Sequence, residues 1–218
     1  MAYLIDLFLH LDVHLAEFVA QYGVLVYAGL FAVIFAETGL VVTPFLPGDS
    51  LLFAAGALAA TGAMDLTLVL ALIAVAAILG NSVNYAIGRA IGPRVFAAGD
   101  GTGWQAKLLN RKHLDRAHEF FEKHGAMAVI SSRFAPIIRT FVPFVAGAAA
   151  MSAPKFLIYN VVGGVLWTAL CVGAGYAFGN VPVIKNNFSL VAIGIVAVSL
   201  LPMVFEILRA RSGATPKA

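Results

Sequence analysis

Glu37, Asp49, Arg133 and Arg139 stand inside otherwise apolar, helix-breaking stretches of the chain. Glu37 ends an apolar run over 22–36, and the segment that leads on to Asp49 holds Pro44, Pro47 and Gly48. Arg133 and Arg139 flank Pro136 within the stretch 125–151, where Pro143 and Gly147 follow. A charge at the centre of a bilayer costs roughly 2.5–3.5 kcal/mol on insertion scales, so four of them need partners or a ligand. Their types say what the ligand could be. Two guanidinium forks suit a phosphate monoester, which carries about −1.5 to −2 charges and several acceptor oxygens. Glu37 and Asp49 are titratable and could carry protons.

Spacing bears on whether the arginines can act together. Six residues apart on a continuous helix, they would face different sides. Pro136 breaks that geometry and lets both turn into one cavity. The breaks at Pro44, Pro47, Gly48, Pro136, Pro143 and Gly147 are expected to line the site and to expose helix N-termini, whose N–H groups favour an anion. The bland alternative is a clamp, with Glu37–Arg133 or Asp49–Arg139 pairs holding two parts of the molecule together, or with Arg139 snorkelling to an interface. Intramembrane ionisable residues are functional by default, which favours the first reading.

The elements that would position these residues belong to a membrane. Of 218 residues, 61% are hydrophobic and 11% charged, against about 25% charged in an ordinary soluble domain. Mean hydropathy is +0.93. Too few charges are present to coat a soluble enzyme, and the chain is too apolar for intrinsic disorder. It reads as an all-α integral membrane protein with one membrane domain, 1–218. Residues 1–88 hold no Lys or Arg and carry −6; residues 89–218 hold all 14 basic residues and carry +9. The basic residues form no soluble domain of their own, so nucleic acid is not expected as a partner. The positive-inside rule accounts for them, with the basic middle segment and the C-terminus cytoplasmic.

Along the chain, residues 1–22 place Leu4, Phe8, Leu11, Leu15 and Phe18 on one helical face. They are expected to form an amphipathic helix in the membrane interface, with packing on the protein itself as the alternative. No basic region of the kind that opens a signal peptide precedes it. A first repeat spans 23–88, with its broken segment at 37–50, an apolar run from Leu51 to about Ala63 and a span over 66–88. Residues 89–124 read as a basic loop, a flexible link at Gly99–Gly103 and an amphipathic helix that anionic inner-leaflet lipids would attract by roughly 1 kcal/mol per basic residue. A second repeat spans 125–179, with its broken segment at 133–147 and a span over 156–179. A last span and basic tail occupy 189–218. Glu37 and Arg133 lie 96 residues apart, as do Pro47 and Pro143, and Tyr85-Ala86-Ile87-Gly88 recurs as Tyr176-Ala177-Phe178-Gly179. Two related halves of this kind occur in transporters with inverted repeats.

Other signals are weaker. The single cysteine, Cys171, makes no internal disulfide and no cysteine metal site. His118-Glu119 lacks the second His of a metalloprotease helix, and His113 and His124 likewise read as solvated surface. The Gly99-x-Gly-x-Gly stretch follows no strand and is a linker. No G-x-S-x-G or P-loop is present, so neither an enzyme nor a metal or cofactor is expected. Asn81, Asn84 and Asn160 are read as bonding across helices, Trp167 and Tyr176 as packing residues or interface anchors. Gly163-Gly164 and Gly173-x-Gly175 permit close helix contact.

Taken together, Phe35-Ala36-Glu37 through Pro47-Gly48-Asp49, Tyr85-x-x-Gly88-Arg89-x-x-Gly92, Arg133-Phe134-x-Pro136-x-x-Arg139, Ala146-Gly147, Met151, Phe156, Asn160, Trp167 and Gly175-Tyr176 resemble the DedA family. This is the bacterial branch of the VTT, or SNARE-associated, membrane proteins, and the likeness runs from about residue 30 to 180. The resemblance implies an inner-membrane protein with about four transmembrane helices and two oppositely oriented re-entrant hairpins. It implies a role in lipid translocation, with return of undecaprenyl phosphate driven by the proton motive force in bacterial members. The family's essential acidic pair falls on Glu37 and Asp49, and its essential arginines on Arg133 and Arg139. Asn81 is a departure, since many relatives carry Asp there; proton coupling would then differ here or rest on Glu37 and Asp49 alone. The expectation is a proton-driven transporter or flippase for undecaprenyl phosphate, with protons and the lipid as partners and homo-oligomerisation left open. A proton-coupled cation antiporter, a scramblase for ordinary phospholipids and a membrane organiser acting through the basic middle segment are the alternatives.

Overall fold

The computed structural model describes residues 17, 19, 21–40, 48–97, 111–179 and 181. Most of the interfacial helix expected over 1–22, the Gly99–Gly103 link, Pro44 and Pro47, and the last span and tail over 189–218 lie outside the described residues. Within them the chain is helical: α1 (Leu25–Gly39), α2 (Gly48–Ala60), α3 (Leu66–Ala97), α4 (Arg111–Ser131), a 3-10 turn (Ser132–Phe134), α5 (Pro136–Ala148) and α6 (Ala153–Phe178).

Among the described residues, two stretches are long and apolar enough to cross a membrane, Leu66–Gly92 of α3 and Ala153–Phe178 of α6. Each would extend about 40 Å, against a hydrocarbon thickness of about 30 Å. The helices α1, α2 and α5 are shorter, with 15, 13 and 13 residues, or about 20 Å each.

Local chemistry sets the boundaries. Asp65 caps α3, accepting from the Leu68 N–H at 2.7 Å. Its own N–H donates to the Tyr27 hydroxyl at 2.9 Å, which ties the start of α1 to the start of α3. Ala135 is extended, as a residue before proline should be, and Pro136 opens α5.

Two expected breaks are not breaks. Pro143 lies inside α5, and Gly147 lies in its last turn. Pro143 lacks the N–H that would reach back to the Arg139 carbonyl, yet α5 continues. Neighbouring helices can re-satisfy the backbone around such a proline, and Asn84 of α3 donates to the adjacent Thr140 carbonyl at 2.7 Å. Likewise α3 does not end at Gly88-Arg89 but runs on to Ala97. Gly88 faces α5 so closely that a Cβ there would lie 2.1 Å from the Phe144 carbonyl oxygen. It is a contact surface rather than a helix stop.

Contacts fix the relative directions. Phe53 and Ala57 of α2 meet, in the same order, Gly175 of α6 and Gly179 at its C-terminal cap, so these helices are parallel. Phe144 and Ala148 of α5 meet Gly88 and Gly92 of α3 in the same order, a second parallel pair. Asn160 reaches Ser82 while Gly164 abuts Ile78, so α3 and α6 are antiparallel. Tyr27 meets Asp65 and Gly39 meets Gly80, so α1 runs parallel to α3. It follows that α1 and α2 are antiparallel. Gly125 meets Met151 and Ile130 meets Gly163, so α4 runs with α6 and against α5. The chain thus makes two antiparallel helix pairs, α1–α2 and α4–α5, that point in opposite directions.

The parallel seams copy one another. Gly56 and Gly147 each press on a carbonyl of the partner helix, Val172 and Tyr85. Gly175 and Gly88 press on the carbonyls of Phe53 and Phe144. The short-helix members differ by 91 in number and the long-helix members by 87. Each half of the chain therefore lays its short helix on the long helix of the other half. A large apolar cluster, including Ile34, Leu52, Ile73 and Val172, packs α1, α2, α3 and α6. A smaller one joins Tyr85, Phe121, Val129, Met151 and Phe156. The outward faces of α3 and α6 are apolar too, with Leu68, Val75, Leu79, Leu157, Val165 and Leu170 exposed, as befits helices bathed in lipid.

Candidate functional site

The two helix pairs bring their turning ends together beside the middles of α3 and α6. Glu37 lies in the last turn of α1, Asp49 in the first turn of α2, Arg133 in the 3-10 turn and Arg139 in the first turns of α5. Glu37, Arg133 and Arg139 are at most 4% exposed.

Arg139 holds both acids. Its Nη2 donates to Glu37 Oε1, and its Nη1 donates to Asp49 Oδ1 at 2.8 Å. The same Asp49 oxygen accepts from the indole Nε1 of Trp167 at 3.0 Å. The Arg139 guanidinium also lies over the Trp167 ring, 5.2 Å from its centroid. Gly48 makes room for the acid: a Cβ there would lie 1.9 Å from Glu37 Oε2.

Arg133 is held differently. Its Nη2 donates to Asn160 Oδ1 at 2.5 Å, to the Asn160 carbonyl at 3.3 Å and to the Ala77 carbonyl at 3.4 Å. Among the described residues it pairs with no carboxylate. Of the two clamps considered from the sequence, Asp49–Arg139 forms and Glu37–Arg133 does not, because Arg133 is drawn into the crossing of α3 and α6 while Glu37 faces Arg139.

Asparagines surround Arg133 and bridge the neighbouring helices. Asn84 Nδ2 donates to the carbonyls of Thr38 (3.3 Å) and Thr140 (2.7 Å). The Asn81 amide, oriented by its neighbours, donates to the Thr38 carbonyl at 3.2 Å and accepts from Arg133 Nη2 at 3.0 Å. Asn160 Nδ2 donates to the Ile78 carbonyl (2.9 Å) and to Ser82 Oγ (3.1 Å). The three asparagines bond across helices, as expected. Glu37 Oε2, Arg133 Nε, Arg139 Nε and Thr168 Oγ1 are buried without a hydrogen-bond partner, a concentration of unmet polar capacity at one place.

Trp167 was not expected at the site. Its signal in the sequence is positional: Asn160, Gly164, Trp167 and Thr168 fall on one face of a helix. Tyr176, its companion in the same reading, is exposed. In α4, Glu119 and His124 are exposed and Glu122 pairs with Lys155, while the side chains of His113 and His118 lie outside the described ones.

Among the described residues, two helices long and apolar enough to cross a bilayer and a buried cluster of ionisable groups between them point to an integral membrane protein. The comparisons with known proteins agree. The VTT domain matches residues 46–177. Protein DedA of Escherichia coli (strain K12) is 51% identical over 218 residues, which covers 99% of this chain and 97% of that one. Uncharacterized membrane protein Rv0364 of Mycobacterium tuberculosis (strain ATCC 25618 / H37Rv) is 44% identical over 183 residues, 83% of this chain and 78% of that one. Inner membrane protein YghB of Escherichia coli (strain K12) is 38% identical over 162 residues, 74% and 72% of the two chains. No solved structure matches. The chain belongs to the DedA family of VTT-domain membrane proteins.

Proposed function

We propose that the protein is a proton-motive-force-dependent transporter of a lipid phosphate in a bacterial inner membrane, with undecaprenyl phosphate as the substrate the family resemblance favours. The observation that carries this reading is the unequal sharing of charge. Arg139, Glu37 and Asp49 together hold a formal −1, while Arg133 is a buried cation with neutral partners. Protonating both acids releases Arg139 and leaves two guanidinium groups without a counter-charge, which match the charge of a phosphate monoester at about −1.5 to −2. Proton uptake and phosphate binding are then linked through Arg139, and linkage works in both directions.

The opposed helix pairs support a re-entrant, inverted-repeat arrangement, in which α1–α2 enters from one face of the bilayer and α4–α5 from the other. Their ends would meet near the midplane, and the short helices would ride on the long ones along the seams as access alternates. The polyprenyl tail stays in lipid, since exposing it to water costs ~0.8 kcal/mol per CH₂. The basic middle segment and C-terminus face the cytoplasm in this arrangement.

The test is flipping of labelled polyprenyl phosphate in liposomes that contain the purified protein. Wild type should flip it and the Arg133→Ala, Arg139→Ala double variant should not. Wild-type rates in the double variant would overturn the phosphate site.

A further inference from the structure

We propose that Asn160 and Asn81 are positioning residues that keep Arg133 as a standing cation, so that Arg133 anchors the anionic phosphate while Arg139 alone is switched by protonation. This rests on the lipid-phosphate reading above and divides the labour between two arginines that the sequence treats as equals.

Every described partner of Arg133 is neutral: two backbone carbonyls and two amide oxygens. The amides cannot turn round. Asn160 Nδ2 is committed to the Ile78 carbonyl and to Ser82 Oγ, whose own proton goes to the Ile78 carbonyl at 2.7 Å. Asn81 Nδ2 is committed to the Thr38 carbonyl. Each amide, pinned at its donor end, presents its acceptor end to the same guanidinium. A carboxylate at either position would accept equally well but would cancel the charge.

The fold also leaves space for this side chain. A Cβ at Gly163 would lie 3.3 Å from Arg133 Cδ, and one at Gly164 would lie 3.3 Å from Nη2. The buried Nε has no partner. A buried cation that is solvated but not neutralised keeps its demand for an anion. Arg139 differs, because Glu37 from α1 and Asp49 from α2 neutralise it, with Cys171 of α6 within electrostatic reach. Among the described residues, the charged group that acts on Arg133 is Arg139 of α5, a like charge.

The test is binding of farnesyl phosphate and of uncharged farnesol to the full-length protein in micelles, at about pH 8, where a carboxyl is ionised, and at about pH 4, where an ordinary Asp carboxyl is about half protonated. Wild type should prefer farnesyl phosphate at both values. Asn160→Asp should keep the wild-type gel-filtration profile and farnesol affinity. It should weaken farnesyl phosphate binding about tenfold or more at the higher pH, with the loss shrinking at the lower pH as the new carboxylate takes up a proton. Asn81→Asp approaches the same guanidinium from another side and should do the same, so it carries the test if Asn160→Asp fails to fold. Wild-type farnesyl phosphate affinity in the folded variants, or equal loss of both ligands at both pH values, would overturn the anchor. A wild-type protein that binds farnesyl phosphate no better than farnesol would overturn the lipid-phosphate reading itself, and the anchor with it.

Discussion

At the scale of residues, one arginine satisfies two buried acids, and its removal should therefore cost more than its own contacts. Arg139→Gln strands Glu37 and Asp49 and should destabilise the protein by about 3–5 kcal/mol, the usual cost of breaking a buried ion pair from one side. Combining it with Glu37→Gln and Asp49→Asn should recover most of that loss, as read by unfolding in detergent. Trp167→Phe keeps a ring over the guanidinium but loses the N–H to Asp49, a hydrogen bond to a charged group worth about 1.5–3 kcal/mol. It should lower the unfolding midpoint and slow transport, whereas an unchanged variant would reduce Trp167 to packing. The four charges were legible in the sequence because charge is scarce in this chain. Which carboxylate meets which arginine was not, because that choice is made by the crossing of α3 and α6, far from any local spacing rule. Trp167 was set aside because an indole in an apolar span usually packs or sits at an interface; only its shared helix face with Asn160 and Gly164 pointed inward.

At the scale of elements, the short helices are held by backbone contact along the two glycine seams. Lipid is as apolar as leucine, so close packing rather than the hydrophobic effect must hold them. Gly175→Ala and Gly88→Ala would each place a methyl group 2.1 Å from a carbonyl oxygen of the partner helix. Each should cost about 1–3 kcal/mol by overpacking. Because they sit in different seams, the double variant should be additive within about 0.5 kcal/mol, as unfolding in detergent can measure. Helix existence was readable from apolar runs, and Pro136 does mark a break between Arg133 and Arg139, at which α5 begins. Pro143, Gly147 and Gly88 misled because the local rules treat proline and glycine as breakers. In close-packed membrane helices the same residues give a contact face, or are tolerated within a helix packed among its neighbours.

At the scale of the whole molecule, two opposed helix pairs meet at a charged cluster while the basic residues crowd into the second half of the chain. The positive-inside arrangement predicts that a cysteine placed at Lys123, with Cys171 replaced by Ala, is labelled by an impermeant reagent from the cytoplasmic side only. The charge asymmetry was plain in the sequence. The crossed packing of halves was not, because the Tyr85/Tyr176 match is offset by 91 while the contacts of the long helices repeat at 87, about one helical turn away. The central claim is that Glu37 and Asp49 couple protons to a phosphate held by the arginines. It is tested most directly by the flipping rate of labelled undecaprenyl phosphate in proteoliposomes, with and without an imposed pH gradient. The account predicts that the gradient accelerates flipping by wild type, that Glu37→Gln and Asp49→Asn each abolish the acceleration, and that Arg133→Gln abolishes flipping under both conditions. Gradient-driven flipping that survives unchanged in Glu37→Gln and Arg133→Gln would contradict it.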